Sequence, residues 1–331
     1  MKRFRTGVVI GKFYPPHKGH HFLIDKALAQ CDRVFVLICW KPSQTVPVAI
    51  RSAAIKELHQ EAHVFEVEDV LADDDSPGWA AHTINLLGFR PEAVFTSEDY
   101  GDVYAKAMGS HHVMVDKDRK NIPCSGTMIR SNPLEYLTWV APSIRAYYVK
   151  RICIVGAEST GKTTLARQLA ERFRTQWVPE YGREYCIEKW KGGIITDEWT
   201  TEEFVTIAHE QCRREDQIAQ VANKVLLCDT DPFATAIWHE RYLHRRSPEV
   251  ESIACSRRYD LYLLTGDEIP FVQDGLRDGE HIRHWMHSRF VDALTETRRP
   301  WVLVAGTPSE RLRAAIKCIT DLVAPHSGVN P

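Results

Sequence analysis

The chain has 331 residues, 44% of them hydrophobic and 26% charged, with 42 Lys and Arg against 44 Asp and Glu for a formal net charge of −2. This is the composition of an ordinary globular protein, with no global positive excess to grip a nucleic-acid backbone, so DNA binding is not expected. The start, MKRFRTGVVIGKF, lacks the apolar core of roughly 7–15 residues that a signal peptide needs, and no apolar run of about 18 residues occurs, so neither export nor a membrane span is expected and the cytoplasm is the expected location.

In chain order, short apolar runs alternate with longer amphipathic ones. Strands are expected at 6–10 (TGVVI), 33–39, 63–67, 93–97 and 112–115, with helices between them, for example at 20–30 and 51–60. A second series begins near residue 151, with strands at 151–155, 175–179, 224–228, 261–265 and 301–305. Strand and helix in regular succession imply parallel sheets covered on both faces. Ten strands are many for one buried sheet, and the second series restarts with its own phosphate motif. The reading is therefore an α/β protein of two domains, 1–145 and 146–331, with a short packed connection over 140–150. The tail APHSGVNP (324–331) is expected to fray. Nine scattered cysteines, an odd number without a C-x-x-C pair, read as reduced thiols.

The first strand runs into GKFYPPHKGH, Gly11 to His20. Gly11 lets backbone approach a ligand closely, Pro15 and Pro16 stiffen the turn, and His17 and His20, three apart, share a face of the helix that opens there. That helix N-terminus offers free N–H groups to a phosphate. The second series opens on RICIV followed by GAESTGKT, Gly156 to Thr163, a P-loop of the form G-x-x-x-x-G-K-[ST] with an apolar strand before it and a helix after it. Its backbone, with Glu158, Ser159, Thr160, Gly161 and Thr164, would wrap the phosphates of ATP. Lys162 would reach the β- and γ-phosphates and the Thr163 hydroxyl would hold Mg²⁺. The strand KVLLC ends in Asp229, which suits the second Mg²⁺ ligand or serves as a cap. Glu180, just past the second strand of this series, is the candidate general base or a salt-bridged structural carboxylate. Arg183 either binds substrate or pairs with Glu180 or Glu184, and Arg277 is a lid arginine or part of a solvated helix start.

GKFYPPHKGH resembles the G-x-F-x-P-x-H-x-G-H signature of the nucleotidylyltransferase superfamily, and SGTMIR, Ser125 to Arg130, resembles that family's second signature, S-x-T-x-I-R. The resemblance implies a Rossmann-like domain in which Gly11, Lys12, Phe13, His17, His20, Ser125, Thr127 and Arg130 bind ATP, with His17, His20 and Arg130 acting where charge develops. Lys41, Arg51 and Trp79 are acceptor-side candidates. Trp79 would stack on a pyridinium ring or simply cover the core, and Asp73–Asp75 read as a solvated loop. Taken together with EYGRE, DTD and DGLR, the two halves resemble the NadR-type family, which joins nicotinamide mononucleotide adenylyltransferase to ribosylnicotinamide kinase. Small-molecule substrates follow: ATP, ribosylnicotinamide, with Tyr181 and Asp229 beside Arg183 at its site, and nicotinamide mononucleotide. Mg²⁺ is the implied cofactor. A homo-oligomer stays open. Some members of that family carry an N-terminal helix-turn-helix; with the first strand starting so early, none is expected here, and no DNA binding with it. The alternatives are adenylyl transfer to flavin mononucleotide or phosphopantetheine with a kinase of other nucleoside specificity, or a nucleotide-sensing regulator.

Overall fold

A computed structural model describes residues 2–191, 198–275 and 277–324; apart from Ala324 the tail lies outside them. The chain divides into two compact units between Tyr147 and Tyr148.

The first unit contains strands β1 (Phe4–Gly11), β2 (Cys31–Trp40), β3 (His63–Glu68), β4 (Ala93–Thr96) and β5 (His111–Met114). With them run helices α1 (Lys18–Gln30), α2 (Val48–Leu58), α3 (Ser76–Leu87), α4 (Tyr100–Met108), α5 (Gly126–Ser131) and, reaching the boundary, α6 (Pro142–Tyr148). The segment read as a packed connection is thus largely helical. All pairings are parallel, in the order β3-β2-β1-β4-β5. Successive β1 side chains feed opposite cores: Val9 packs with Ile24, Val36 and Phe95, and Val8 and Ile10 pack with Leu37, Val94 and Met108. Burial on both faces is why these strands read as unbroken apolar runs rather than alternating ones. The chain order reverses beside β1, which opens a crevice between the carboxyl ends of β1 and β4, the place where ligands bind in open parallel sheets.

The second unit repeats the plan with β6 (Lys150–Val155), β7 (Trp177–Val178), β8 (Val225–Asp229), β9 (Leu261–Thr265) and β10 (Trp301–Val304), in the order β10-β9-β6-β8-β7. Its helices are α7 (Lys162–Phe173), α8 (Tyr181–Lys189), α9 (Thr201–Ala219), α10 (Pro232–Leu243), α11 (Pro248–Ser256), α12 (Arg283–Glu296) and α13 (Pro308–Val323). Ile152 and Ile154 of central β6 pack with Leu165, Leu227, Leu263 and Ile319. The expected strand 175–179 shrinks to two residues at the sheet edge: Thr175 N still closes the end of α7 on the Ala170 carbonyl at 2.9 Å, and Pro179 has no N–H to donate. A capping box starts α13: Thr307 Oγ1 accepts from Glu310 N and Glu310 Oε2 accepts from Thr307 N. Thr307→Ala removes one arm of it and should lower stability by about 1 kcal/mol, read from the denaturant midpoint of the second unit's unfolding; an unchanged midpoint would show that the box contributes nothing.

Candidate functional sites

In the first unit a cavity of about 410 Å³ sits over the crevice, and its wall includes Gly11, Lys12, Phe13, His17, His20, Trp79, Ser125, Thr127 and Arg130. The two signature segments, more than a hundred residues apart in the chain, meet here. His17 is the N-cap of α1, its Nδ1 accepting from Gly19 N at 3.1 Å, and its ring stacks on that of His20 with centroids 3.7 Å apart. Phe13 closes on the other side of His20 at 4.8 Å. Burial, with help from the charge of Arg119, lowers the His17 pKa to about 4, and burial also holds His20 well below the ordinary histidine value. Both imidazoles are therefore neutral at pH 7 and able to donate a hydrogen bond to an oligophosphate. Ser125 caps α5 by accepting from Met128 N at 3.1 Å. Arg130 donates to the Tyr14 carbonyl and, at 3.2 Å, to Thr127 Oγ1, with its guanidinium over the Tyr14 ring.

The acceptor-side candidates divide. Trp79 lines the cavity, 8% exposed, its Nε1 tied to the Ala72 carbonyl at 3.0 Å. Arg51 does not reach the wall. It is buried behind it, donating to the carbonyls of Lys12 (2.6 Å) and Cys39 (3.4 Å) and to Gln44 Oε1 (2.8 Å), so it braces the loops after β1 and β2 instead of contacting a ligand. Lys41 lies outside the wall as well, with its Nζ 3.4 Å from Asp69 Oδ2. The Asp73–Asp75 run is not simply solvated: Asp73 accepts from Lys12 Nζ at 2.8 Å, and Asp75 caps α3 through Gly78 N. Sequence reasoning passed over Asp69 and Arg119, both in the wall. The basic stretch DKDRKN (116–121) was a usable signal for Arg119; nothing local marked Asp69.

In the second unit a cavity of about 390 Å³ is walled by residues 158–164, Glu180, Arg183 and Arg277. The P-loop turns on positive φ at Gly156 (144°) and Gly161 (81°). A Cβ at Gly156 would stand 2.3 Å from Thr265 Oγ1, so only glycine fits. Thr160 Oγ1 and Lys162 Nζ both donate to the Ala157 carbonyl at 2.8 Å, and Arg277 Nη1 reaches Ser159 Oγ at 3.2 Å. Glu158 accepts from Gly279 N at 2.8 Å. Asp229 lies at the end of β8, where its Oδ2 accepts from Thr163 Oγ1 at 2.5 Å while its buried Oδ1 has no hydrogen-bond partner among the described residues. A hydroxyl beside a carboxylate with an unused oxygen suits Mg²⁺, which takes one or two protein oxygens and leaves the rest to phosphate and water; no set of three or more His, Cys, Asp or Glu placed to hold a metal occurs among the described residues. Glu180, the N-cap residue of α8, is desolvated and faces Asp229, so its pKa is pushed up to about 7 despite the nearby Lys162. Arg183 pairs with Asp274 at 2.7 Å and not with Glu180 or Glu184.

Tyr181 is not in the wall; its ring packs under the Arg214 guanidinium, 4.4 Å from the centroid, and beside Tyr185. The aromatic side of the cavity comes from residues the sequence reading did not single out: Trp190, Trp199, Phe204, Trp238 and Tyr242. Trp199 packs against Phe204, Tyr242 and Trp190 with centroids 5.0–5.9 Å apart. The indole N–H groups of Trp190, Trp199 and Trp238 are all buried without partners among the described residues. Their spacing in the chain follows no period, so no local pattern announced a cage.

The fold and its two phosphate cradles define a two-domain nucleotide-handling enzyme. Residues 8–132 match the family described as cytidylyltransferase-like, and residues 151–311 match the AAA domain. The trifunctional NAD biosynthesis/regulator protein NadR of Escherichia coli (strain K12) is 30% identical over 295 residues, taking in 82% of this chain and 71% of that one, and the protein of the same name from Salmonella typhimurium matches to the same extent. The chain belongs to the NadR family. Among solved structures, NadR protein in complex with NR superposes with a TM-score of 0.81 at 22% identity, covering 99% of this chain and 98% of that one, and NadR protein in complex with NAD and AMP-PNP with a TM-score of 0.76 at 21%, covering 100% and 99%.

In a pH titration followed by histidine NMR, the His17 imidazole should titrate near 4; a midpoint at the ordinary histidine value would show that the site is wetter than its burial implies.

Proposed function

We propose that the chain makes NAD in two ATP-dependent steps, with residues 146–331 phosphorylating ribosylnicotinamide and residues 1–145 adenylylating the resulting nicotinamide mononucleotide. The observation that carries the reading is the second cavity, where a desolvated carboxylate, a P-loop lysine and an aromatic cage face one space. A cage of indole and phenol rings suits a flat cationic base such as the pyridinium of ribosylnicotinamide. NAD biosynthesis is the role given in the names of the family's Escherichia coli and Salmonella typhimurium members.

In the kinase step the 5′-hydroxyl oxygen of the nucleoside forms a bond to the γ-phosphorus of ATP, the bond to the bridging oxygen breaks, and ADP leaves. Glu180 takes the hydroxyl proton. Its raised pKa makes it a stronger base than an ordinary carboxylate, at the cost of being half protonated near neutrality. Lys162 and Arg277 lie where negative charge builds on the transferring group. Thr163 and Asp229 would hold Mg²⁺, which would supply neutralisation of the phosphate charge. In the adenylyl step a phosphate oxygen of the mononucleotide bonds to the α-phosphorus of ATP and pyrophosphate leaves. No protein nucleophile is required; His17, His20, Ser125, Thr127 and Arg130 orient the triphosphate and stabilise its charge. Lys12, in the wall, faces the acceptor; Lys41 lies outside the wall against Asp69, and Arg51 fixes the loops that carry both.

Mixing the protein with Mg-ATP and ribosylnicotinamide should give the mononucleotide first and NAD after it; neither product, with NAD also absent when the mononucleotide is supplied, would sink the reading. Lys162→Ala should abolish phosphoryl transfer and spare adenylyl transfer, and His20→Ala should cut adenylyl transfer by on the order of 10²-fold while sparing the kinase. Loss of both activities in either folded variant would contradict two separate sites. The kinase kcat/KM should fall as pH drops below about 7, as Glu180 takes up its proton, and Glu180→Gln should lose that limb along with roughly 10²–10⁴-fold in rate.

A further inference from the structure

We infer that Asp69 is the residue by which the first unit chooses its acceptor, favouring a base that bears a neutral hydrogen-bond-donating amide over one that bears a carboxylate. The inference rests on the reading of this unit as an adenylyltransferase for a pyridine mononucleotide.

Asp69 follows β3 directly and is anchored by its backbone N–H to the Trp40 carbonyl at 2.8 Å. Its side chain is 1% exposed, yet it belongs to the cavity wall. Neither carboxylate oxygen accepts a hydrogen bond among the described residues. Two ammonium groups stand near, Lys41 Nζ at 3.4 Å and Lys12 Nζ at 3.9 Å, and both engage Oδ2. Oδ1 has no hydrogen-bond partner among the described residues, and the contact given for each lysine is with Oδ2. A buried carboxylate oxygen in that condition is costly unless something donates to it, and what reaches the cavity is the ligand.

The topology says which ligand. Phosphate-binding groups occupy the middle of the crevice, at the start of α1 and around α5. The loops after β4 and β5 wall one flank with Glu98, Tyr100, Asp116 and Arg119; the ends of β1, β2 and β3 flank the other with Lys12, Cys39 and Asp69, joined by Trp79 from α3. One flank is needed for adenine, and the second is left for the acceptor. There Lys12, half-exposed in the wall, can meet the acceptor's phosphate. The buried Asp69 and Trp79 meet its base. Trp79 offers an apolar face whose N–H is already spent on Ala72. Asp69 then supplies the polar contact: Oδ1 accepts from a carboxamide N–H, favours the positive charge of a pyridinium, and repels a carboxylate at the same position. Rejecting a like charge inside a desolvated pocket discriminates far more strongly than adding one favourable contact.

The bland alternative is that Asp69 only positions Lys12 and Lys41, and the two roles differ in a measurable ratio. The full-length protein is assayed for dinucleotide formation from ATP with nicotinamide mononucleotide and with nicotinate mononucleotide. Wild-type protein should prefer the amide. Asp69→Asn, which matches the shape, removes the charge and can donate to a carboxylate, should shrink the kcat/KM ratio by on the order of tenfold or more, with the KM for ATP unmoved. Asp69→Glu keeps the charge and should keep the preference while raising the acceptor KM. A variant Asp69→Asn that loses rate equally with both acceptors, or whose ratio stays put, would overturn the assignment in favour of simple lysine positioning. Should Asp69→Asn prove unfolded by circular dichroism, a lost preference in folded Asp69→Glu would overturn it equally. Wild-type protein that forms no dinucleotide from either acceptor would remove the underlying reading and the assignment with it, and unlike the other failures it would show before any variant is tested.

Discussion

A parallel strand buried on both faces ends with its carboxyl edge at the surface, and a helix that starts there has N–H groups with no partner inside the helix. Both sites depend on that constraint. After β1 the unpaired groups are those of the turn into α1, with His17 as the cap; after β6 they are those of the P-loop turning into α7. Phosphate satisfies them without any side-chain charge, so in each unit a nucleotide site comes with the topology and the remaining residues only refine what it does.

The refinement works largely through desolvation. In the first unit it keeps two imidazoles neutral, as hydrogen-bond donors to the proposed triphosphate would need to be. In the second it raises the pKa of the Glu180 carboxyl, as the proposed general base requires. The same physical cause moves acids and bases in opposite directions, and each site uses the direction its chemistry needs.

How much could be read from the residues follows from how local each feature is. The ten strands, the parallel sheets and both phosphate loops are written in contiguous stretches, and they are where the chain has them. The first cavity also gathers segments 11–20 and 125–130 as their pairing implied, because a signature carries its own turn geometry. Arg51 and Tyr181 show the limit. Their positions were right in sequence, but side-chain direction is settled by neighbours such as Gln44 and Arg214 that lie on other elements. Asp69 and the aromatic cage are the converse. Each consists of residues unremarkable in their own stretch, brought together only by packing, with Trp190, Trp199 and Trp238 arriving on three separate segments.

That cage has a consequence for how the molecule can be watched. Three of the nine tryptophans border the second cavity, their ring nitrogens without a hydrogen-bond partner among the described residues. An electron-poor pyridinium slipped among them, such as the substrate proposed for this unit, would accept an excited electron from an indole and dim the emission of the second unit. The first unit has a single such ring in its wall, Trp79, already bonded through its nitrogen. Occupancy of the two sites would therefore be weighted differently in one intrinsic optical signal, without a label attached anywhere on the chain.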